Sequence, residues 1–209
     1  MQSNLLNPLG PPIVLASRSA RRVELLRLVG ARFEVCAADV DERPLPGERA
    51  EAHVLRLAEQ KARMAAGRVE PPAARGELLV LGADTIVTLD RDILGKPKDV
   101  EEARRMLGLL SGRVHEVWTG IAVVDPADGH SVSEAVRSIV KFAVLDPSDV
   151  DRYVATGEPL DKAGAYAVQG GGALFVEAIE GSYSNVVGLP LSHLKRRVDL
   201  ARETPARSA

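Results

Sequence analysis

The segment LLVLGADTIVTL at residues 78–89 decides how the rest of the chain is interpreted. Its run of Leu, Val and Ile is typical of a β-strand. Asp84 interrupts this run, and a carboxylate inside a strand is rarely tolerated unless it is paired or binds a cation. Two interpretations follow. Either the strand ends or bulges at Asp84, which then caps a turn, or rigid backbone holds the carboxylate at the base of a cleft.

Strands and helices alternate on both sides of this segment. Further strands are predicted at residues 13–16, 33–37 and 174–179, and helices at residues 19–29, 50–66, 99–110, 146–155 and 190–201. Residues 115–124 and 133–145 are predicted to form an antiparallel pair, because DPADG at residues 125–129 supplies the turn between them. Alternation combined with a hairpin indicates an α/β protein with a mixed sheet.

Length and composition favour one globular domain. The chain has 209 residues, of which 45% are hydrophobic and 27% charged. This mix excludes collagen-like, coiled-coil and largely disordered chains. Proline-rich stretches at residues 43–49 and 70–76 are short enough to be loops inside one domain. We therefore predict a single domain over residues 1–209, with loose tails at residues 1–12 and 202–209.

Charge, cysteine content and hydropathy limit the partners and the compartment. The formal net charge is -2, whereas proteins that bind nucleic acid through its phosphates usually carry a basic excess. The single cysteine, Cys36, cannot form an internal disulfide, which fits a reducing compartment. No apolar run approaches the ~18 residues of a membrane span, and residues 1–12 lack the pattern of a signal peptide. We expect a cytoplasmic protein that binds neither nucleic acid nor membrane.

Lys61 is a second residue that breaks a local rule. On the predicted helix 50–66 the apolar residues form one arc at the 3.6-residue period, and Lys61 falls inside that arc, seven residues after Val54. Arg56 lies on the opposite, polar face. A lysine on the buried face either extends its ammonium group to the rim or meets an anion.

Two basic segments are candidates for anion binding. SRSARR at residues 17–22 opens a helix with Ser19 as a plausible N-cap, and cations at a helix N-terminus are unfavourable unless an anion accompanies them. Arg21 and Arg22 then bind an anion or face water. Lys96, fixed between Gly95 and a proline, either meets a phosphate or is an ordinary loop lysine.

Several well-known motifs are absent from the sequence. There is no GxxxxGK[ST] loop, GxGxxG, HExxH, CxxC or GxSxG, and the four histidines are scattered. A bound metal should therefore be a hard cation on carboxylates, Mg²⁺ or Mn²⁺. The glycine run at residues 170–172 is interpreted as a flexible loop.

Five blocks carry a resemblance to a known family. They are LASRSARRVELL at residues 15–26, LGADTIV at 81–87, LGKPKDVEEARRML at 94–107, LSGRVHEVWTGIAV at 110–123 and LDKAGAYAVQG at 160–170. Together they resemble the Maf family of nucleoside triphosphate pyrophosphatases over residues 14–194. The resemblance implies an elongated mixed α/β fold, with two lobes around a deep cleft, like that of inosine triphosphate pyrophosphatases. It also implies cleavage of the α–β phosphoanhydride of a nucleoside triphosphate, a divalent metal (Mg²⁺ or Mn²⁺) and a homodimer.

The resemblance also assigns roles to particular residues. The GADT motif combined with VQG is similar to the branch that acts on dTTP and UTP, and Thr85 argues against the branch that acts on 7-methyl-GTP. The implied assignments are Asp84 as the catalytic residue, Glu42 with Asp84 at the metal, Arg22, Lys61 and Lys96 at the phosphates, and Arg21, Thr85 and Gln169 for substrate specificity.

Two alternatives stay open from the sequence. The chain could be a nucleotide-binding regulator of septum formation and cell division with little turnover, as the origin of the family name implies. It could also remove modified pyrimidine nucleotides, which the roominess of the pocket around C5 of the base would decide.

Overall fold

The computed structural model describes residues 9–74 and 76–203. Their strands are β1 (Ile13–Leu15), β2 (Phe33–Val35), β3 (Leu79–Leu89), β4 (Asp92–Leu94), β5 (Val114–Val124), β6 (Ser131–Phe142) and β7 (Val176–Glu180). Their α-helices are α1 (Ala20–Leu28), α2 (Ala50–Ala66), α3 (Val100–Leu110), α4 (Pro147–Ala155), α5 (Tyr183–Val187) and α6 (Leu191–Glu203). Three short 3₁₀ turns cover Glu158–Asp161, Ala163–Ala165 and Gly171–Phe175.

The seven strands form one mixed sheet in the order β2-β1-β3-β5-β6-β7, with β4 paired to β3. β1 is parallel to β2 and β3, whereas β4 is antiparallel to β3 and β7 is antiparallel to β6. The predicted hairpin is present: Asp125 N–H donates to His130 O just beyond β5, and Phe142 N–H donates to Arg113 O at the other end of the pair. The α/β class with a mixed sheet is confirmed.

The chain divides into two compact units. The first contains the described residues up to Asp84, Thr119–Val136 and those from Gly188 onward; the second contains Thr85–Trp118 and Arg137–Val187. The single domain stays a prediction. Of the two predicted tails, residues 1–8 and 204–209 lie outside the described ranges, while residues 202–203 end α6.

In the first unit, α2 lies directly on the sheet. Small residues make this possible: a Cβ added at Gly82 would lie 2.0 Å from Ala58 O, and one added at Gly120 would lie 2.1 Å from Val54 O. Alanines of α2 complete the core against valines of β1, β3 and β5. The backbone of α2 is thus held at a fixed height over β3, the strand that carries Asp84.

The second unit is built around aromatic rings. His115, Phe142 and Tyr166 pack edge to face with centroid separations of 4.8–5.4 Å, and Phe175 joins Phe142 to Tyr153. Leucines of α3 and valines of β3, β5 and β6 surround these rings. Four of the seven Phe, Tyr and Trp residues of the chain therefore lie in one core.

Polar side chains cap the N-termini of three helices, among them the predicted cap Ser19. Ser19 Oγ accepts from Arg22 N–H at the start of α1, and the carboxylates of Asp99 and Asp146 cap α3 and α4. The prediction of residues 50–66 coincides with α2. No helix of the described residues is long and apolar enough to cross a membrane.

Candidate functional site

Lys61 bridges two carboxylates in the first unit. Its Nζ donates to Asp84 Oδ1 at 2.7 Å and to Glu42 Oε1 at 2.6 Å. The side chains of Lys61 and Asp84 are only 8% and 10% exposed, whereas that of Glu42 is 51% exposed. Of the two interpretations of Lys61, the structure has the one in which it meets an anion. We call Glu42, Lys61 and Asp84 the charged triad.

The backbone explains how the charged triad forms. β3 runs without interruption from Leu79 to Leu89, so Asp84 lies inside a strand rather than at a turn. Lys61 comes from α2, which the missing side chain of Gly82 allows to approach β3 closely. Because burying a lone charge is costly, the short ion pair offsets the desolvation of both groups. Two negative groups share one positive group, so the triad retains an excess of negative charge.

Arg22 is a second buried cation of the first unit. Its Nη1 donates to Ser17 Oγ and its Nε to Gly188 O, both at 2.9 Å. Burial lowers the pKa of the guanidinium, an effect that the negative charges of Asp84 and Glu42 oppose. Arg22 is therefore held in a fixed orientation within electrostatic range of the charged triad.

The N-terminus of α1 brings further positive potential to this region. Its first turn contains no acidic residue, so nothing in that turn offsets the positive end of the helix. Arg21 in that turn is half-buried, and Arg18 pairs with Asp39. The helix start predicted within residues 17–22 is thus present, with Ser19 as the cap, and anion binding there stays a prediction.

The other predicted site residues lie in the second unit. Lys96 is exposed, in a segment whose Gly95 O accepts from Gly164 N–H at 3.1 Å. Thr85 is half-buried and follows Asp84 in β3, and Gln169 is exposed. The structure thus brings Arg22, Glu42, Lys61 and Asp84 together and places Lys96, Thr85 and Gln169 in the other unit.

A hydrogen-bond network holds the loop that carries Gln169, residues 167–172, which we call the glutamine loop. Tyr153 Oη donates to Glu158 Oε1 at 2.7 Å and accepts from Ala167 N–H at 3.1 Å. Glu158 Oε2 accepts from Gly171 N–H at 3.1 Å. Burial, with the bond to Glu158, raises the pKa of Tyr153 above its ordinary value, so the phenol stays protonated.

The glycine run of this loop is closely packed. A Cβ added at Gly170 would lie 2.4 Å from Glu158 Oε1, and one added at Gly172 would lie 2.8 Å from Ala167 O. The run opens a 3₁₀ turn, Gly171–Phe175, instead of the flexible loop interpreted from the sequence. The absence of side chains at these glycines lets the loop pack closely against Glu158 and Tyr153, which supports the backbone that carries Gln169.

Sequence reasoning missed an ionic cluster beside the charged triad. The sequence places Arg56 on the polar face of α2, but its guanidinium binds Glu48, whose side chain is only 7% exposed. His53 Nδ1 also lies 2.9 Å from Glu48 Oε2. The signal that could have found it is a lone glutamate eight residues before an arginine of the next helix, which is a weak pattern.

In the described residues, no group of three or more His, Cys, Asp or Glu side chains is arranged to hold a metal ion. The predicted donor set is the carboxylate pair of the charged triad, and both of its members contact Lys61.

The chain is similar to known proteins over most of its length. The family model for Maf-like proteins matches residues 12–200. The dTTP/UTP pyrophosphatases of Citrifermentans bemidjiense and Geobacter sp. are 55% and 56% identical to the chain over 179 residues, which are 86% of this chain and 90% of each relative. That of Myxococcus xanthus is 52% identical over 86% of this chain and 87% of its own. The solved Ham1 protein of Staphylococcus aureus gives a TM-score of 0.43 at 18% identity, covering 63% of this chain and 72% of its own, which is too low to carry a conclusion.

Proposed function

The chain belongs to the Maf family, and from that premise we propose that it hydrolyses the α–β phosphoanhydride of dTTP and UTP to the nucleoside monophosphate and pyrophosphate. The observation that carries the proposal is the buried Lys61–Asp84 ion pair beside the exposed carboxylate of Glu42. A lysine and an aspartate buried together are costly to maintain. Functional sites are where such arrangements are expected.

Asp84 is the general base that accepts the proton of the attacking water. A water oxygen attacks the α-phosphorus and its proton passes to the Asp84 carboxylate. The bond between that phosphorus and the bridging oxygen breaks, and pyrophosphate leaves with the bonding electrons. Lys61 Nζ, bound to Asp84 Oδ1 at 2.7 Å, fixes the orientation of the carboxylate.

The cations bind the triphosphate. Arg22 offers a guanidinium that Ser17 and Gly188 already hold in place, and the start of α1 offers backbone N–H groups. Lys61 and Lys96 would stabilise the negative charge that develops on the leaving pyrophosphate. Fixed donors of this kind need no reorganisation when the charge appears.

A divalent metal fits the donor set. Mg²⁺ in phosphate-processing sites is commonly held by one or two carboxylates together with waters and substrate phosphates, and Glu42 and Asp84 are two carboxylates that share one lysine. These two residues would hold Mg²⁺ or Mn²⁺. When bound, the metal supplies positive charge that offsets the charge of the phosphates.

Base selection would belong to Arg21, Thr85 and Gln169. An amide presents both donors and an acceptor, so the exposed Gln169 can match the edge of a pyrimidine. A homodimer, a cytoplasmic location and the lack of nucleic-acid partners complete the proposal. Light scattering on the purified protein tests the dimer.

The test is pyrophosphate release from a panel of nucleoside triphosphates with Mg²⁺ or Mn²⁺. We expect dTTP and UTP to lead, and Asp84→Asn to lower kcat by at least ~10²-fold, the scale of losing a positioned acid–base group. Asp92→Asn, which changes an exposed carboxylate on β4, is the matched control and should retain activity.

Other results would redirect the proposal. Near-normal turnover by Asp84→Asn would show that Asp84 is not the general base. Nucleotide binding without turnover in the wild type would favour the regulator of septum formation. A preference for pyrimidines modified at C5 would favour removal of modified nucleotides.

A further inference from the structure

Glu48 is a buried carboxylate that the proposed chemistry does not use. It accepts from Arg56 Nε at 2.6 Å and from Arg56 Nη2 at 2.7 Å, a two-point contact between guanidinium and carboxylate. Hydrogen bonding to Arg56 lowers the pKa of Glu48 well below its usual range, although burial alone would raise it, and bonds from Leu45 N–H and His53 lower it further. The pair is therefore ionised at neutral pH and has one defined geometry.

The same pair holds the backbone that follows Glu42. Arg56 Nη2 also donates to Arg43 O at 3.2 Å, and Glu48 Oε2 accepts from Leu45 N–H at 3.0 Å. Arg43 is the residue next to Glu42, whose Oε1 is on Lys61. The contacts run from α2, through this backbone, to the exposed member of the charged triad.

Apolar burial contributes little to holding this segment. Residues 41–47, which we call the acidic loop, are all exposed. Leu45, the one large apolar side chain of the loop, is 54% exposed. Asp41 bonds Arg43 within the loop, but that contact is itself exposed. The polar contacts with Glu48 and Arg56 therefore carry most of the anchoring at this end of the loop.

The geometry of α2 explains why two anchors are needed. Arg56 and Lys61 are five residues apart, about 140° around the helix. The acidic loop therefore passes across the helix surface, from Glu48 on one side to Glu42 on Lys61 at the other. If the Glu48–Arg56 pair were lost, Glu42 would be attached to a solvated and mobile segment of chain.

We propose that Glu48 and Arg56 are positioning residues that hold the Glu42 carboxylate on Lys61 through the backbone of residues 43–45. This inference rests on the proposed function only in that Glu42 takes part in it. Neither Glu48 nor Arg56 is catalytic. Their effect on turnover passes through Glu42.

The test is a double-mutant cycle between Arg56→Lys and Glu42→Gln. Lysine keeps the charge for Glu48 but cannot make the two-point contact and the bond to Arg43 O together. We expect Arg56→Lys to lower kcat/KM about tenfold, mostly in kcat, as is usual for groups that orient a site residue. In the Glu42→Gln background the same change should cost less than about twofold, because groups that act through one another are not additive.

Hydrogen exchange gives a readout that needs no activity. The Leu45 amide, which donates to Glu48 Oε2, should exchange faster in Arg56→Lys than in the wild type, as should the other non-proline amides of residues 41–47. Arg63→Lys, which changes an exposed arginine on the same helix, is the matched control and should change neither measurement. If Arg56→Lys does not fold, Glu48→Gln replaces it with the same expectations.

The outcomes separate this inference from the proposed function. If Arg56→Lys lowers kcat/KM equally in the wild-type and the Glu42→Gln backgrounds, the positioning role is overturned. If the wild type hydrolyses no nucleotide, the proposed function fails, and exchange alone decides: unchanged exchange in the acidic loop overturns the inference, and faster exchange supports it.

Discussion

The two units bury their polar groups in opposite ways. The first contains two ion pairs with little exposure, Lys61 with Asp84 and Arg56 with Glu48, and the buried guanidinium of Arg22. The second buries neutral groups: desolvation lowers the pKa of His115 to about 4 and raises that of Tyr166 above its ordinary value. The first unit therefore keeps fixed charges in its interior, whereas the second keeps polar groups there that carry no charge.

The two loops repeat this contrast. Ions anchor the acidic loop, and its backbone stays open: within the described residues, a Cβ added at Gly47 would meet nothing within 4 Å. Close packing joins the hydrogen-bond network in holding the glutamine loop, where a Cβ at Gly172 would meet main-chain atoms of Ala167. The acidic loop thus depends on ionic contacts and the glutamine loop on hydrogen bonds and packing together.

Breaking the Lys61–Asp84 ion pair should have the largest effect on the free energy of unfolding. Lys61→Met removes the cation that bridges Glu42 and Asp84 and leaves a buried carboxylate without this partner. Loss of one partner of a buried pair costs about 3–5 kcal/mol. Urea unfolding of the variant should show a loss of that size at pH 7.

A second substitution checks the cause. Lys61→Met combined with Asp84→Asn removes both charges, so the double variant should regain part of the lost stability. If it is as unstable as Lys61→Met alone, packing rather than charge accounts for the loss.

As the pH is lowered, the first loss of stability should come from the second unit, through protonation of His115. The His115 pKa falls from an ordinary value of 6.5 to about 4 on folding because of burial. Between these values the unfolded chain binds the proton and the folded chain does not, so stability falls as pH falls from 6.5 to 4. A shift of this size corresponds to at most roughly 3 kcal/mol.

The measurement is the free energy of unfolding between pH 7 and 4 for the wild type and His115→Gln. The gap between them should narrow as pH falls through this window. The Glu48–Arg56 pair should contribute no slope in the upper part of this range, because Glu48 is ionised there in both the folded and the unfolded chain. Its contribution starts to fall as the pH approaches the ordinary carboxyl value of 4.5. A constant gap would show that His115 is not kept neutral by the fold.

Filling the glutamine loop should have a smaller effect. A Cβ added at Gly172 would lie 2.8 Å from Ala167 O and 2.9 Å from Tyr153 Oη. Gly172→Ala should cost about 1–3 kcal/mol, the usual range for overpacking. Thermal denaturation measures it. Gly108→Ala, on an exposed turn of α3 with no neighbour within 4 Å in the described structure, should instead be stabilising by about 0.5–1 kcal/mol. Equal shifts in both variants would contradict the close packing of the loop.

The charged triad could be found from sequence because two of its members break the patterns around them. Asp84 stands in an apolar strand and Lys61 on an apolar helix face, and each violation is visible within a few residues. The roles of Glu42 and Gln169 came only from the family resemblance. The Glu48–Arg56 pair and the Tyr153–Glu158 network break no local pattern, since ionic residues in a loop and on a polar helix face are ordinary. Their burial depends on chain segments that only the fold brings together.

The fold shows the same division. The predicted bounds of α2 match the observed ones because its period is long and its arc is clear. The sequence does not predict β4, because both residues of the turn before it, Asp90 and Arg91, have positive φ and neither is the glycine that usually signals such a turn. It does not predict α5, because five residues carry too little of the helical period. The interpretation of the glycine run is wrong because sequence does not distinguish a glycine that frees the backbone from one that makes room for a neighbour.

Gly82 and Gly120, beneath α2, limit how this protein can evolve. At both positions the atoms that a new side chain would strike first are main-chain atoms of α2, Ala58 O and Val54 O. A large side chain elsewhere can be compensated by trimming the residue it strikes, but a peptide group cannot be trimmed. A second substitution therefore cannot compensate for a side chain at either glycine. Any descendant protein that keeps the contact between Lys61 and Asp84 must also keep both glycines.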